Sequence, residues 1–241
     1  MGIFPRVFAI FIAICCVAGC ASTIPQKDLG RMQRLGVISI VAEKLNRTYV
    51  GVLVFGNERE EKDVSSWGLD KAYEAQIASA VESKISAKII PTTHDASNFR
   101  SLNDTSGPAM LAEPNWSNVA VSAKKFCVEN NLDGVFFLTR AQSGGFFGPS
   151  SNQFLEGVGV YASGSTSGVY ISSRLTLLDC TSLKPLGEEE ISAGRFLEPE
   201  IAKKPLSNWS EEDEKVVHQN LIEVPTYTLN RKLDGMLRGE R

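Results

Sequence analysis

The chain has 241 residues, 25 basic against 28 acidic side chains, a net charge of -3 and 43% hydrophobic residues. That length supports one sizeable core. A near-neutral balance supplies no strongly basic face of the kind nucleic acid requires, and past the first twenty residues no apolar run is long enough for a membrane helix.

The chain begins with one charged side chain, Arg6, followed by an apolar run from Val7 to Gly19. The run is shorter than the roughly 20 residues that a spanning helix needs. A short basic start, a short apolar core and small residues before a cut describe a secretory signal. The run ends in Val17-Ala18-Gly19-Cys20. These four residues resemble the lipobox of bacterial lipoproteins. The resemblance implies cleavage before Cys20, diacylglycerol on its sulfur and acylation of the new amine. The membrane, reached through lipid on Cys20, is thus the first expected partner, because two buried acyl chains suffice for stable attachment. Ala21 and Ser22 replace the aspartate that often marks retention at the inner membrane. The expected address is the periplasmic face of the outer membrane, or the cell surface where there is no outer membrane. The resulting division is a signal peptide at 1–19, a lipidated tether at 20–33 and one domain at 34–241.

Five cysteines are present. Cys15 and Cys16 fall in the removed segment and Cys20 takes lipid, leaving Cys127 and Cys180. In an oxidising compartment such a pair is a disulfide candidate; the alternative is two buried thiols acting as small hydrophobes.

In chain order, 34–42 and 49–55 are rich in β-branched residues and read as a hairpin, with Leu45-Asn46-Arg47-Thr48 as its turn. Residues 57–64 are charged and read as exposed. Leu69, Tyr73, Ile77, Val81 and Ile85 recur every fourth residue, which predicts a helix over 66–85 with one apolar stripe. A short strand follows at 87–90. The stretch 91–116 carries Pro91, Pro108 and Pro114 and reads as a long loop, with His94 as a solvated loop residue beside Asp95. A helix over 117–131 is stopped by Asn130-Asn131-Leu132-Asp133-Gly134, and a strand starts at once at Val135. Residues 141–153 are rich in glycine and carry Phe146 and Phe147, a candidate partner contact. Strands at 154–163, 169–179 and 187–196 form a meander. If 169–179 pairs antiparallel with 135–139, Cys180 approaches the end of the preceding helix and Cys127. Glu188-Glu189-Glu190 reads as solvated. Ser210 to Asp213 makes a capping-box start, Val217, Leu221 and Val224 an inner face, and Pro225 a break before a last helix over 226–238.

Together these predict an α/β (α+β) fold: a mixed, largely antiparallel sheet with packing helices and a C-terminal helix. The order of elements, the turn Asn131-Leu132-Asp133-Gly134-Val135 and the stretch from Leu178-Asp179-Cys180-Thr181 to Leu186 resemble a group of periplasmic domains. The group includes the amino-terminal domain of the Tol-Pal propeller protein, the curli secretion channel subunit and the penicillin-binding-protein activator lipoproteins. Ser182 stands where that group has glycine. The group works through surfaces, so the resemblance carries over no functional residue.

No nucleotide loop, Cys-x-x-Cys, His-Glu-x-x-His or nucleophile elbow occurs, and His94 and His218 are the only histidines. No cofactor, metal site or catalytic residue is implied. The expected function is a non-enzymatic binding, scaffold or assembly-accessory lipoprotein whose partner is an envelope protein. A homo-oligomeric, secretion-channel-like subunit with 154–179 as a pore hairpin is the second expectation, and an enzyme of unrecognised type the third. Four Asn-x-Ser/Thr sequons, at Asn46, Asn103, Asn115 and Asn208, mean nothing without a glycosylation system.

Overall fold

The computed structural model describes residues 23–51, 56–104, 114–143, 155–164 and 166–238. Its strands are β1 (Arg34–Ser39), β2 (Lys44–Val50), β3 (Glu58–Asp63), β4 (Lys88–Ile89), β5 (Gly134–Arg140), β6 (Gln142–Ser143), β7 (Leu155–Ser163), β8 (Thr166–Asp179) and β9 (Pro185–Phe196). Its helices are α1 (Gln26–Gly30), α2 (Leu69–Glu82), α3 (Ala120–Glu129), α4 (Pro199–Lys203), α5 (Glu211–Glu223) and α6 (Thr226–Arg238).

The sheet hangs on β8. One edge of β8 pairs antiparallel with β9 from Gly168↔Phe196 to Leu178↔Pro185. The other edge is shared end to end. Its first half pairs with β7, up to Gly157↔Ser172, and its second half with β5, from Arg140↔Ser173 to Gly134↔Asp179. Beyond β7 lie β2, parallel to it, and the antiparallel β3. Beyond β5 lie β1 and β4, both parallel. The sheet is therefore mixed and largely antiparallel, with two wings on one central ribbon.

Both faces are covered, which is why β1 and β5 read as continuous apolar runs. Leu35, Val37, Phe136 and Leu138 face a core built with α2, α5 and α6. Ile38, Ile40, Val135 and Phe137 face a second core with Phe99, Leu102 and α3. The alternation of side chains along a strand divides neighbouring residues between the two cores. The stripe of α2 (Leu69, Tyr73, Ile77 and Val81) and that of α6 (Leu229, Leu233 and Met236) are buried in the first core. Ser210 and Asp213 close a reciprocal capping box on α5. The tight αβ turn has a physical anchor: Asp133 Oδ2 accepts from the backbone N–H groups of Gln33 (2.8 Å) and Arg34 (2.9 Å). One carboxylate thereby ties the start of β1 to the start of β5.

Three expectations change. The first is the hairpin. β1 takes only β4 and β5 as neighbours, and Leu45 to Thr48 lie inside β2 rather than in a turn. The hairpin partner of β2 is β3, the charged stretch Glu-Arg-Glu-Glu-Lys-Asp. An edge strand has no apolar face to declare itself and is suited to charge. Its register sets unlike charges opposite one another, with Arg47 against Glu60 and Lys44 against Asp63. Residues 52–55 of the expected strand lie outside the described residues.

The second is the tether. Ile24 and Met32 are fully buried and Leu29 nearly so. The Ile24 N–H donates to Met236 O at 3.0 Å, and Gln26 Nε2 donates to Leu237 O at 3.2 Å. Three apolar residues in a polar stretch are too few to show a period, yet all three are buried, and Ile24 and Gln26 bond the segment to α6. The third is the acidic run near β9. Glu189 sits on the inner face of β9 between buried Gly187 and Ile191. Lys232 of α6 neutralises it, Nζ to Oε2 2.9 Å.

Candidate functional site

β1 and β5 run parallel and end on the same side of the sheet, where α2 begins. Beyond the carboxyl ends of these two strands side chains from several elements converge. Here Asp70 in the first turn of α2 accepts from Ser39 Oγ at 2.5 Å and from the N–H groups of Val41 (3.0 Å) and Ala42 (3.2 Å). One turn further, Glu74 Oε1 accepts from the Ser39 N–H at 2.9 Å. His94 Nε2 lies 3.4 Å from the same Glu74 oxygen. Asn103 donates to Ile40 O at 2.7 Å and accepts from the Arg140 N–H at 2.8 Å, which joins the ends of β1 and β5.

His94 is thus not the solvated loop histidine that its surroundings in sequence suggest. Its ring packs edge-on against Phe99 and Phe126, and its Nδ1 has no protein partner among the described residues. Burial pushes its pKa down. Burial likewise raises Asp70 above the ordinary carboxylate range, against the pull of Ser39 and the two backbone donors. Glu74 is pushed up to about 7, by burial first and then by the neighbouring Asp70 charge, with the Ser39 N–H and Lys71 acting the other way. The cluster brings two carboxyls and one imidazole together where α2 begins. It is not a serine triad: Ser39 gives its hydrogen to Asp70, while the imidazole faces Glu74.

A carboxyl that binds its proton more tightly folded than unfolded loses stability as pH rises. For Glu74 the loss runs from about 4.5, its ordinary value, to about 7. Glu74→Gln keeps an oxygen for the Ser39 N–H and removes the charge. The variant is expected to be more stable than the native protein at pH 8 by about 1–2 kcal/mol, a discounted value because the side chain is partly exposed. The difference should vanish at pH 4. Urea denaturation of both proteins at the two pH values checks this; an equal difference at both would contradict it.

A second polar centre lies on the other wing. Arg47, 1% exposed, donates from Nη1 to Glu60 (2.6 Å) and Glu58 (3.1 Å). Its Nη2 and Nε donate to the carbonyls of Lys203 (2.6 Å) and Ala202 (3.3 Å) at the end of α4. A polar cavity of about 160 Å³ adjoins it, lined in part by Asn46, Thr48, Glu156 and Tyr170.

Of the residues singled out from sequence, Cys127 and Cys180 are joined by a disulfide, Cα–Cα 5.7 Å, from the end of α3 to the turn after β8. Cys20, Phe146 and Phe147 lie outside the described residues. Nothing in the sequence marked the Ser39–Asp70–Glu74–His94 cluster. The one available signal was that Asp70 and Glu74 stand four apart at the start of a helix, off its apolar stripe.

No family model matches the chain, and no curated protein matches it. Solved structures similar to it include the PelC dodecamer of Paraburkholderia phytofirmans, 8% identical over 86% of this chain and 90% of that one, with a TM-score of 0.33. A Xanthomonas campestris protein of the DUF330 family is 10% identical over 84% and 81%, TM-score 0.37. Lipoprotein GNA1162 of Neisseria meningitidis is 14% identical over 79% and 95%, TM-score 0.32. Scores of this size assign neither family nor activity.

Proposed function

We propose that this chain is a lipid-anchored envelope lipoprotein that works by binding an envelope protein rather than by catalysis. The observation that carries the reading is the apolar run closed by Val17-Ala18-Gly19-Cys20. The Cys127–Cys180 disulfide suits the oxidising side of a membrane. Ala21 and Ser22 favour the outer membrane and its periplasmic face. Phe146 and Phe147 are the proposed partner contact. For the channel-like alternative, the apolar side of the 154–179 hairpin would have to face lipid. Val158, Val160, Ala162, Val169 and Ile171 are instead buried in the core of the domain.

Cys20→Ser tests the anchor. The variant is expected to leave the membrane fraction or to accumulate with its signal intact, and to lack the mass of the acyl groups. Membrane attachment and processing that both persist would defeat the reading.

A further inference from the structure

The leash between Cys20 and the folded domain is short. Ile24 is buried and bonded to α6, and four residues of backbone reach at most about 14 Å. The chain enters at a defined end of the molecule. β1 and β5 start there, tied by Asp133. Lys88 pairs with Arg34 and Asp179 with Gly134 at the same end. The Asp70–Glu74–His94 cluster is at the opposite end, where α2 begins. The 14 residues of α2 set the two ends about 20 Å apart, more than the leash can span.

We propose that the domain rests with this amino-terminal end against the headgroups of the bilayer that holds its anchor, and presents the Asp70–Glu74–His94 cluster away from the membrane. The proposal depends on the lipoprotein reading of Cys20. The charges at this end fit phosphate-bearing headgroups. Lys27, Lys88 and Lys184 are exposed around the entry point. The nearby acids are engaged within the domain: Asp133 with two backbone N–H groups, Asp179 with Arg31 and Ser182, Asp234 with Lys84 and Arg238. An inverted domain would hold Ile24 farther from the bilayer than the leash permits.

The test uses the mature lipidated protein in vesicles of phosphatidylethanolamine and phosphatidylglycerol. A fluorophore is placed at Lys88→Cys or, at the end where α2 begins, at Ser66→Cys. Headgroup spin-labelled lipid is expected to quench the probe at 88 at least threefold more than the probe at 66. Equal or reversed quenching on vesicles that float with bound protein overturns the orientation alone; failure to float overturns the anchor and the orientation together. A twelve-residue Gly-Ser insertion after Ser22 lengthens the reach by about 40 Å. It should erase the contrast, and an unchanged contrast would overturn the leash as its cause.

Discussion

Replacing Arg47 with alanine is expected to destabilise the domain by about 3–5 kcal/mol, from the cavity left by a fully buried side chain and the hydrogen bonds lost to two backbone carbonyls. The reason is an asymmetry of partners. Glu58 and Glu60 lie on an edge strand and are 55% and 30% exposed, so water can take the place of the guanidinium there. The carbonyls of Ala202 and Lys203 have more to lose. Arg47 Nε and Nη2 satisfy them at the end of a helix of five residues, too short to hold itself. Alanine also leaves the volume of the largest fully buried side chain empty. Arg47→Met fills most of that volume and removes the donors, so its loss should be smaller by about 1–2 kcal/mol. Urea denaturation of the three proteins measures both differences. Limited proteolysis near α4 should speed up in both variants, because the clamp between β2 and α4 is gone. A loss below about 1 kcal/mol for Arg47→Ala would mean that solvent reaches these groups and that the clamp is not structural.

The Cys127–Cys180 bond should supply the next largest effect. It closes a loop with a sequence separation of 53. Chain-entropy arguments give about 4 kcal/mol for such a loop, and native bonds commonly deliver about 2–4. In a protein of this size that loss lowers the melting temperature by about 5–15 °C. The bond links α3 to the turn after β8, and β5 pairs with β8 and puts Val135 and Phe137 into the α3 core. Its removal should therefore loosen the α3 core while leaving the α2–α5–α6 core in place. Hydrogen exchange of Cys127→Ala/Cys180→Ala should show faster opening in α3 and β5 than in α2. Uniform acceleration would mean that the two cores open together.

The elements that sequence exposes well are those with one buried face. α2 and α6 declare themselves by apolar residues three and four apart, and β7 to β9 by strand-length runs between glycine-rich turns. The approach of Cys180 to Cys127 followed from one pairing, β8 beside β5, because that register carries the turn after β8 to the end of α3. β3 declared nothing, since a charged edge strand has the composition of a loop. Residues 24–33 are hidden for a related reason: Ile24 and Gln26 find their partners on α6, some two hundred residues away. Arg47 reads as part of a turn and Glu189 as part of a solvated run, because burial of a charge depends on a partner that lies elsewhere in the chain. His94 is the same case, held by rings and a carboxyl from three separate elements.

From the residues alone come the resemblance of Val17-Ala18-Gly19-Cys20 to a lipobox, the class of fold, the helices with an apolar stripe and the cysteines Cys127 and Cys180 as a candidate pair. These are local facts, set by runs and periods within a single element. Tertiary structure alone decided the end-to-end sharing of β8 by β5 and β7, the pairing of β2 with a charged partner, the burial of Arg47 and the gathering of Ser39, Asp70, Glu74 and His94. Each of those depends on which distant segment supplies the neighbour, and hydrophobic periodicity reports only that a face is covered, not by what.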